Sequence, residues 1–192
     1  MAEQTSISRR TAFAGLGASG LALALAGQLT HASARRQDGP LADHPLVGVW
    51  VAMVNLPTSP GVPVAVPSIY GADGSVVLIF PTPEMGPNGL RHKGAAVGSW
   101  EAVDDRTGHF TVVQVHADAD GNYLGTFTLY GHPTVSEDGS TFEDQHPDNH
   151  GEIRDPSNTI VMTTPRSPEP VRGYRILPGD PGFPDAEATP AT

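Results

Sequence analysis

From Leu46 onward, apolar and polar residues alternate in short runs, the period-two pattern of half-buried β-strands. These runs predict strands near 47–55, 65–71, 75–80, 95–103, 109–117, 123–135, 140–145, 159–164 and 171–177. No window of this region carries the 3.6-residue apolar period of an amphipathic helix. On 126–130, Phe127 and Leu129 fall on one face, with Thr126, Thr128 and Tyr130 on the other. On 110–116, Phe110 and Val112 share a face with Gln114 and His116. Val76 to Phe80 is apolar on both faces, as in a strand covered on both sides. Asp73-Gly74, Asp120-Gly121 and Asp138-Gly139 supply the positive φ of tight hairpins, and 104–108 reads as a longer hairpin loop.

Strands joined mainly by hairpins predict an antiparallel meander. The expected fold is all-β, an antiparallel up-and-down barrel of about 8–9 strands over 46–177, because closing so long a meander removes its edges. Two stretches break the pattern. Residues 81–94 hold Pro81, Pro83, Pro87, Gly86, Gly89 and Gly94 and end in Arg91-His92-Lys93, which predicts a long loop at a barrel mouth, a common place for a lid. Residues 165–192 hold seven prolines, and 178–192 reads as a disordered Pro-rich tail. Before the barrel, 35–45 reads as a polar linker with Gly39, Pro40 and Pro45.

The first 34 residues follow a different pattern. Ser8-Arg9-Arg10-Thr11 precedes a stretch from Ala12 to Ala26 made only of Ala, Gly, Leu, Phe and Ser. Ala32-Ser33-Ala34 then gives the small-x-small site of a signal peptidase. A paired arginine before a weakly apolar core resembles a twin-arginine export signal, and the general export pathway fits the remaining features. A retained anchor is the alternative, since about 20 apolar residues span a bilayer. Gly15, Gly17, Gly20 and Gln28 argue for cleavage. The expected location is exported: periplasmic, cell-surface or extracellular. Gly15 to Gly20 satisfies G-x-G-x-x-G but follows no strand, so it is not a dinucleotide fingerprint.

Length and charge narrow the picture. The 192 residues suit one domain. The net charge of −10 becomes −11 once Glu3, Arg9 and Arg10 leave with the signal, which disfavours nucleic acid and anionic membrane surfaces as partners. There are no cysteines, so thiol catalysis, thiolate metal sites and disulfides are excluded. No second long apolar run follows the signal, so no stable membrane insertion is expected after cleavage.

Three groups carry candidate chemistry. In an extended chain His146, Asp148 and His150 would project to one side, a donor set suited to zinc or another first-row divalent ion. Pro147, Asn149 and Gly151 favour instead a solvated acidic loop. His116, His132 and Tyr130 sit on predicted strands and would permit general acid–base chemistry if they faced one cavity. Phe110, Val112, Gln114 and His116 would line such a cavity. Asp118-Ala119-Asp120-Gly121-Asn122 opens like a calcium loop but has Tyr123 and Leu129 where the motif needs glycine and glutamate. No G-x-S-x-G, H-E-x-x-H or P-loop occurs.

Gly48-Val49-Trp50 at the start of the first strand resembles the G-x-W opening of lipocalins and the wider calycin group, antiparallel barrels with a ligand cavity. The stretches His44–Trp50, Gly98–Ala102 and Asp138–Phe142 also resemble exported bacterial proteins of uncharacterised function. The spacing recurs as Gly98-Ser99-Trp100 and Gly125-Thr126-Phe127. The resemblance implies a barrel over 44–177 whose first and last strands pair, with Arg175 or Arg172 stacked on Trp50, so that Gly48, Trp50 and Arg175 close the floor. It implies a binding module for a small, mainly apolar molecule. The alternatives are a barrel enzyme such as an isomerase or cyclase, or a structural protein with a filled core.

Overall fold

The computed structural model describes residues 41–55, 61–86, 89–180 and 182–183, all within the compact unit Gly39–Thr192. The expected signal, most of the linker and most of the tail lie outside the described residues. So do residues 87–88.

The alternating runs form strands as expected. The thirteen segments are β1 (Gly48–Val54), β2 (Val64–Tyr70), β3 (Ser75–Leu78), β4 (Glu84–Gly86), β5 (Gly89–Lys93), β6 (Ala96–Ala102) and β7 (Gly108–Asp118), then β8 (Tyr123–Gly131), β9 (Thr134–Val135), β10 (Thr141–Asp144), β11 (His150–Arg154), β12 (Ile160–Pro165) and β13 (Val171–Arg175). All the pairings are antiparallel. They build one curled half-barrel sheet in the order β12-β11-β8-β7-β6-β3-β2-β1-β13-β10-β9, with β4 on β5 and β5 also on β7.

Three expectations are corrected. The expected loop at 81–94 contains the β4–β5 hairpin: Glu84 faces Arg91 and Met85 faces Leu90. Its Pro and Gly density marks irregular joints on either side of a short ladder. The 143–152 stretch is only partly loop, because β11 begins at His150 and pairs with both β8 and β12. The linker ends earlier than Pro45: a 3-10 turn over Leu41–Asp43 leads into the core, where Leu41, His44 and Leu46 are buried. His44 packs on Trp100 at 5.3 Å between ring centroids.

Several strand segments continue one another across irregularities. Val97 faces Val113 on β7, yet Lys93 faces His116, so one extra residue lies on the β5–β6 side, a bulge at Gly94-Ala95. β9 follows β8 after His132-Pro133 and keeps its register against β7: Phe110 faces Gly131, and Thr107 faces Thr134 in an isolated bridge. Gly108 N donates to Pro133 O and Val135 N to Arg106 O. These contacts tie the β9 end of the sheet to the start of β7.

The core gathers the inward residues of β1, β2, β3, β6, β7 and β10: Trp50, Val66, Tyr70, Val76, Trp100, Phe110 and Phe142 among them. The aromatic rings meet edge-on, Trp50 with Phe142 at 5.2 Å and Tyr70 with Trp100 at 6.0 Å, the arrangement the ring quadrupole favours by about 0.5–1.5 kcal/mol per pair. Each indole is satisfied: Trp50 Nε1 donates to Leu46 O at 2.9 Å and Trp100 Nε1 to Gly71 O at 2.9 Å.

β1 pairs with β13, and Trp50 is the register partner of Arg175. The Arg175 guanidinium lies 4.1 Å above the Trp50 ring. It also donates to three backbone carbonyls, Gly139 O at 2.6 Å, Val47 O at 3.1 Å and Pro45 O. Arg172 instead pairs with Glu143 on the exterior at 3.1 Å. Gly48 is required here. It adopts φ of 140°, and a Cβ would stand 2.8 Å from Arg175 Nη1.

Candidate functional site

The inward face of β7 changes character along its length. Phe110 and Val112 belong to the apolar core. Two and four residues further on, Gln114 and His116 are 2% and 8% exposed. Gln114 is fixed by donating Nε2 to Gly94 O at 2.8 Å, and its Oε1 lies 3.0 Å from His116 Nε2. Phe127 of β8 stacks on His116 at 6.4 Å.

Opposed residues of an antiparallel pair share a face, so Lys93, facing His116, and Arg91, two residues before it, point inward too. Glu84 of β4 joins them: its carboxylate lies 2.7 Å from Lys93 Nζ and 3.8 Å from an Arg91 nitrogen. The Lys93 side chain is only 8% exposed. Two cations thus meet one carboxylate beside a buried imidazole. Burial, followed by the charges of Arg91 and Lys93, holds His116 below the usual imidazole range. The Arg91 Nε is buried with no hydrogen-bond partner, an omission that costs about 1–3 kcal/mol for a buried polar group. Val54, Phe80, Leu129 and Val171 pack on the core while only partly buried.

A second group lies on the other face of the sheet. His132 stacks between His109 (4.4 Å) and His146 (4.3 Å), and Tyr130 stacks on His150 at 4.3 Å. His109 Nδ1 lies 3.6 Å from Glu101. Beneath the stack, Asp144 Oδ1 accepts from His132 N at 3.0 Å and from the Asn149 amide, whose Oδ1 lies 2.8 Å from His132 Nδ1. Burial raises the Asp144 carboxyl above the usual range against the opposing pull of these donors. Tyr70 is pushed well up by burial and then by the Asp144 charge.

The residues singled out from sequence are therefore divided. Phe110, Val112, Gln114 and His116 do share one inward face. His132 and Tyr130 are on the outward face, alternating with Gly131, the register partner of Phe110. They do not converge with His116, so the acid–base group expected for an isomerase or cyclase is not assembled. His146 Nδ1 lies 3.7 Å from Asp148 Oδ2, but His150 turns its Nδ1 to the Asp148 carbonyl at 2.7 Å and its ring to Tyr130. Among the described residues, no three His, Asp or Glu side chains form a group able to hold a metal ion. The Asp118 loop is a hairpin turn, its carboxylate accepting from Asp120 N, Asn122 N and Asn122 Nδ2.

The sequence pattern places Arg91 and Lys93 only at the end of an expected loop and does not single out Glu84. The signal was present in the i, i+2 spacing of Arg91 and Lys93, visible only if 89–93 is taken as a strand.

Beside Arg175, an open groove of about 740 Å³ runs past Asp138, Ser140, Tyr174, Arg175, Leu177 and Phe183. Leu177 and Asp180 bond to each other there, so the Pro-rich tail starts with an ordered turn. Among the described residues, no helix is long and apolar enough to cross a membrane. Comparison with protein-family models, curated proteins and solved structures found no match.

Proposed function

We propose that this is an exported, non-enzymatic binding protein whose strands close into a barrel around a small, mainly apolar molecule. Closure follows if β3–β4, β5–β6, β8–β9, β10–β11 and β12–β13 are each one long strand with an irregular joint. Every long strand then pairs with its sequence neighbours, and the last, through β13, pairs with β1. The Thr107–Thr134 bridge supports this, as does Arg175 tying β13 to Trp50 and to the segment before β1. This is the calycin-like architecture that the Gly48-Val49-Trp50 opening implies.

The observation that carries the binding reading is the inward face of the mouth. Below, the core is packed. Above it, the half-buried Phe127, stacked on His116, and the half-buried Leu129 adjoin buried polar groups on β5 and β7, an apolar wall with few convergent polar groups, as in small-molecule sites. A structural protein with a filled core has no need of buried charges, which are costly to desolvate.

The test is titration of the purified chain with N-phenyl-1-naphthylamine, a neutral apolar probe that brightens out of water. Saturable one-to-one binding is expected, and the absence of saturable binding refutes the reading. Export rests on Arg9-Arg10 and Ala32-Ser33-Ala34. Sequencing the N-terminus of the protein recovered outside the cytoplasm should give Arg35, and a retained Met1 in a cytoplasmic fraction refutes it.

A further inference from the structure

We propose that Arg91 and Lys93 form an anion subsite, and that the molecule held is an apolar compound ending in one carboxylate. The inference rests on the binding reading above and adds the chemistry of the ligand's polar end.

Charge and geometry carry it. Arg91 and Lys93 project from alternate positions of β5 onto the inward face. Among the described residues, Glu84 is the carboxylate paired with them. Asp118, the register partner of Arg91, is engaged in its own hairpin turn. Asp144 also points inward, but it is bound to His132 and Asn149 at the far end of the ladder. With His116 neutral, the cluster bears one net positive charge. That matches a carboxylate better than a phosphate monoester, which carries nearly two charges.

The Arg91 Nε is a buried donor without a partner, and a guanidinium binds a carboxylate through just such an N–H beside a terminal one. His116 Nε2 already meets Gln114. The imidazole therefore shapes the wall and leaves anion binding to the two cations. Phe127, stacked on His116, and the half-buried Leu129 begin the apolar surface along which a chain would lie. A ligand carboxylate held here leaves its hydrocarbon over Phe127 and Leu129, on the β8 face opposite β7.

The experiment compares dodecanoate with dodecanol as competitors of N-phenyl-1-naphthylamine on the full chain, at about pH 8, where carboxylic acids are ionised. Dodecanoate should bind at least about tenfold more tightly, the usual scale for a charge-assisted contact. Arg91→Gln and Lys93→Gln should each lower dodecanoate affinity severalfold more than they lower dodecanol affinity. Glu84→Gln removes the competing carboxylate and should raise dodecanoate affinity, a gain that damaged folding cannot produce.

Equal affinity for acid and alcohol, with the neutral probe still bound, overturns the anion subsite alone. So does an acid preference that survives the Arg91→Gln/Lys93→Gln pair. If the neutral probe does not bind, calorimetric titration with dodecanoate replaces competition, and heat that depends on Arg91 and Lys93 keeps the subsite and refutes the apolar cavity. A chain that binds none of the three overturns both.

Discussion

Replacing Arg175 with alanine should be among the costliest single changes outside the buried core. Its guanidinium stacks on Trp50 at 4.1 Å, a cation–π contact worth about 0.5–2 kcal/mol. It also donates to the carbonyls of Gly139, Val47 and Pro45. Hydrogen bonds from a charged donor contribute about 1.5–3 kcal/mol each when removed singly, but Arg175 is only partly buried, and water will reach the freed carbonyls. Discounted for that, the loss should be about 3 kcal/mol. Arg175→Lys should lose about 2 kcal/mol, because an ammonium is a point charge and cannot serve three divergent acceptors. In urea unfolding followed by tryptophan fluorescence, Arg175→Ala should lower the midpoint by about 1.5 M, taking an m-value of about 2 kcal/mol/M. Arg172→Ala is the internal control. It sits three residues away on the same strand, with its side chain 63% exposed against a Glu143 that is 59% exposed, and should cost at most about 0.5 kcal/mol. A folded Arg175→Ala protein within about 0.5 kcal/mol of the parent, or a loss equal to that of Arg172→Ala, would refute the role given to Arg175 as the tie between the ends of the sheet.

Other changes test separate parts of the structure. Gly48→Ala combines a positive φ with a Cβ 2.8 Å from Arg175 Nη1, so it should lose about 2–3 kcal/mol. The paired variant Gly48→Ala/Arg175→Ala should lose less than the sum of the two, as read in a double-mutant cycle. Hydrogen bonds from Ser136 and Ser140 hold the Asp138 carboxyl at about 2, below its ordinary 3.8. A depressed acid stabilises the fold above its unfolded value and loses that contribution as pH falls from 3.8 through about 2. Thermal melts of Asp138→Asn should therefore lie below the parent at neutral pH and converge with it near pH 2. Asn149→Ala removes a donor to Asp144 and should lose about 1–3 kcal/mol where Asp144 is ionised. The loss should shrink as pH falls through the raised Asp144 value and the acid protonates, and a pH-independent loss would show that the carboxylate charge is not what Asn149 supports.

Much of the architecture is written in the chain's alternation. Trp50, Trp100, Phe110, Val112 and Phe142 all sit on the inward faces that period two assigns them. The Asp-Gly turns are where expected, with Gly74, Gly121 and Gly139 at positive φ. The pairing of Arg175 with Trp50 was implied only through family resemblance, because no local pattern links residues so far apart. The histidine stack was hidden for a related reason. His109, His132 and His146 come from β7, from the joint between β8 and β9, and from the loop after β10, and only cross-strand register brings them together. Periodicity says which face a residue takes but does not name its neighbours on the next strand.

The inward charges of β5 were hidden by one residue. On β6, Ala96 and Trp100 are buried while Val97 is exposed, so even-numbered positions face inward. Continued without interruption, that alternation would turn His92 and Leu90 inward and leave Arg91 and Lys93 outside, where basic side chains normally stay. The extra residue at Gly94-Ala95 reverses the parity. Lys93 is thereby placed opposite His116, and Gly94 offers the carbonyl that fixes Gln114. A strand read at constant period two shifts every side chain beyond a bulge to the wrong face. The same glycine that made the segment look like a loop is the one that turns Arg91 and Lys93 to the inward face. Turning two cations inward is unfavourable for the empty fold, since burial penalises charge. Within the proposed function, the bulge gains its purpose when a carboxylate occupies the mouth.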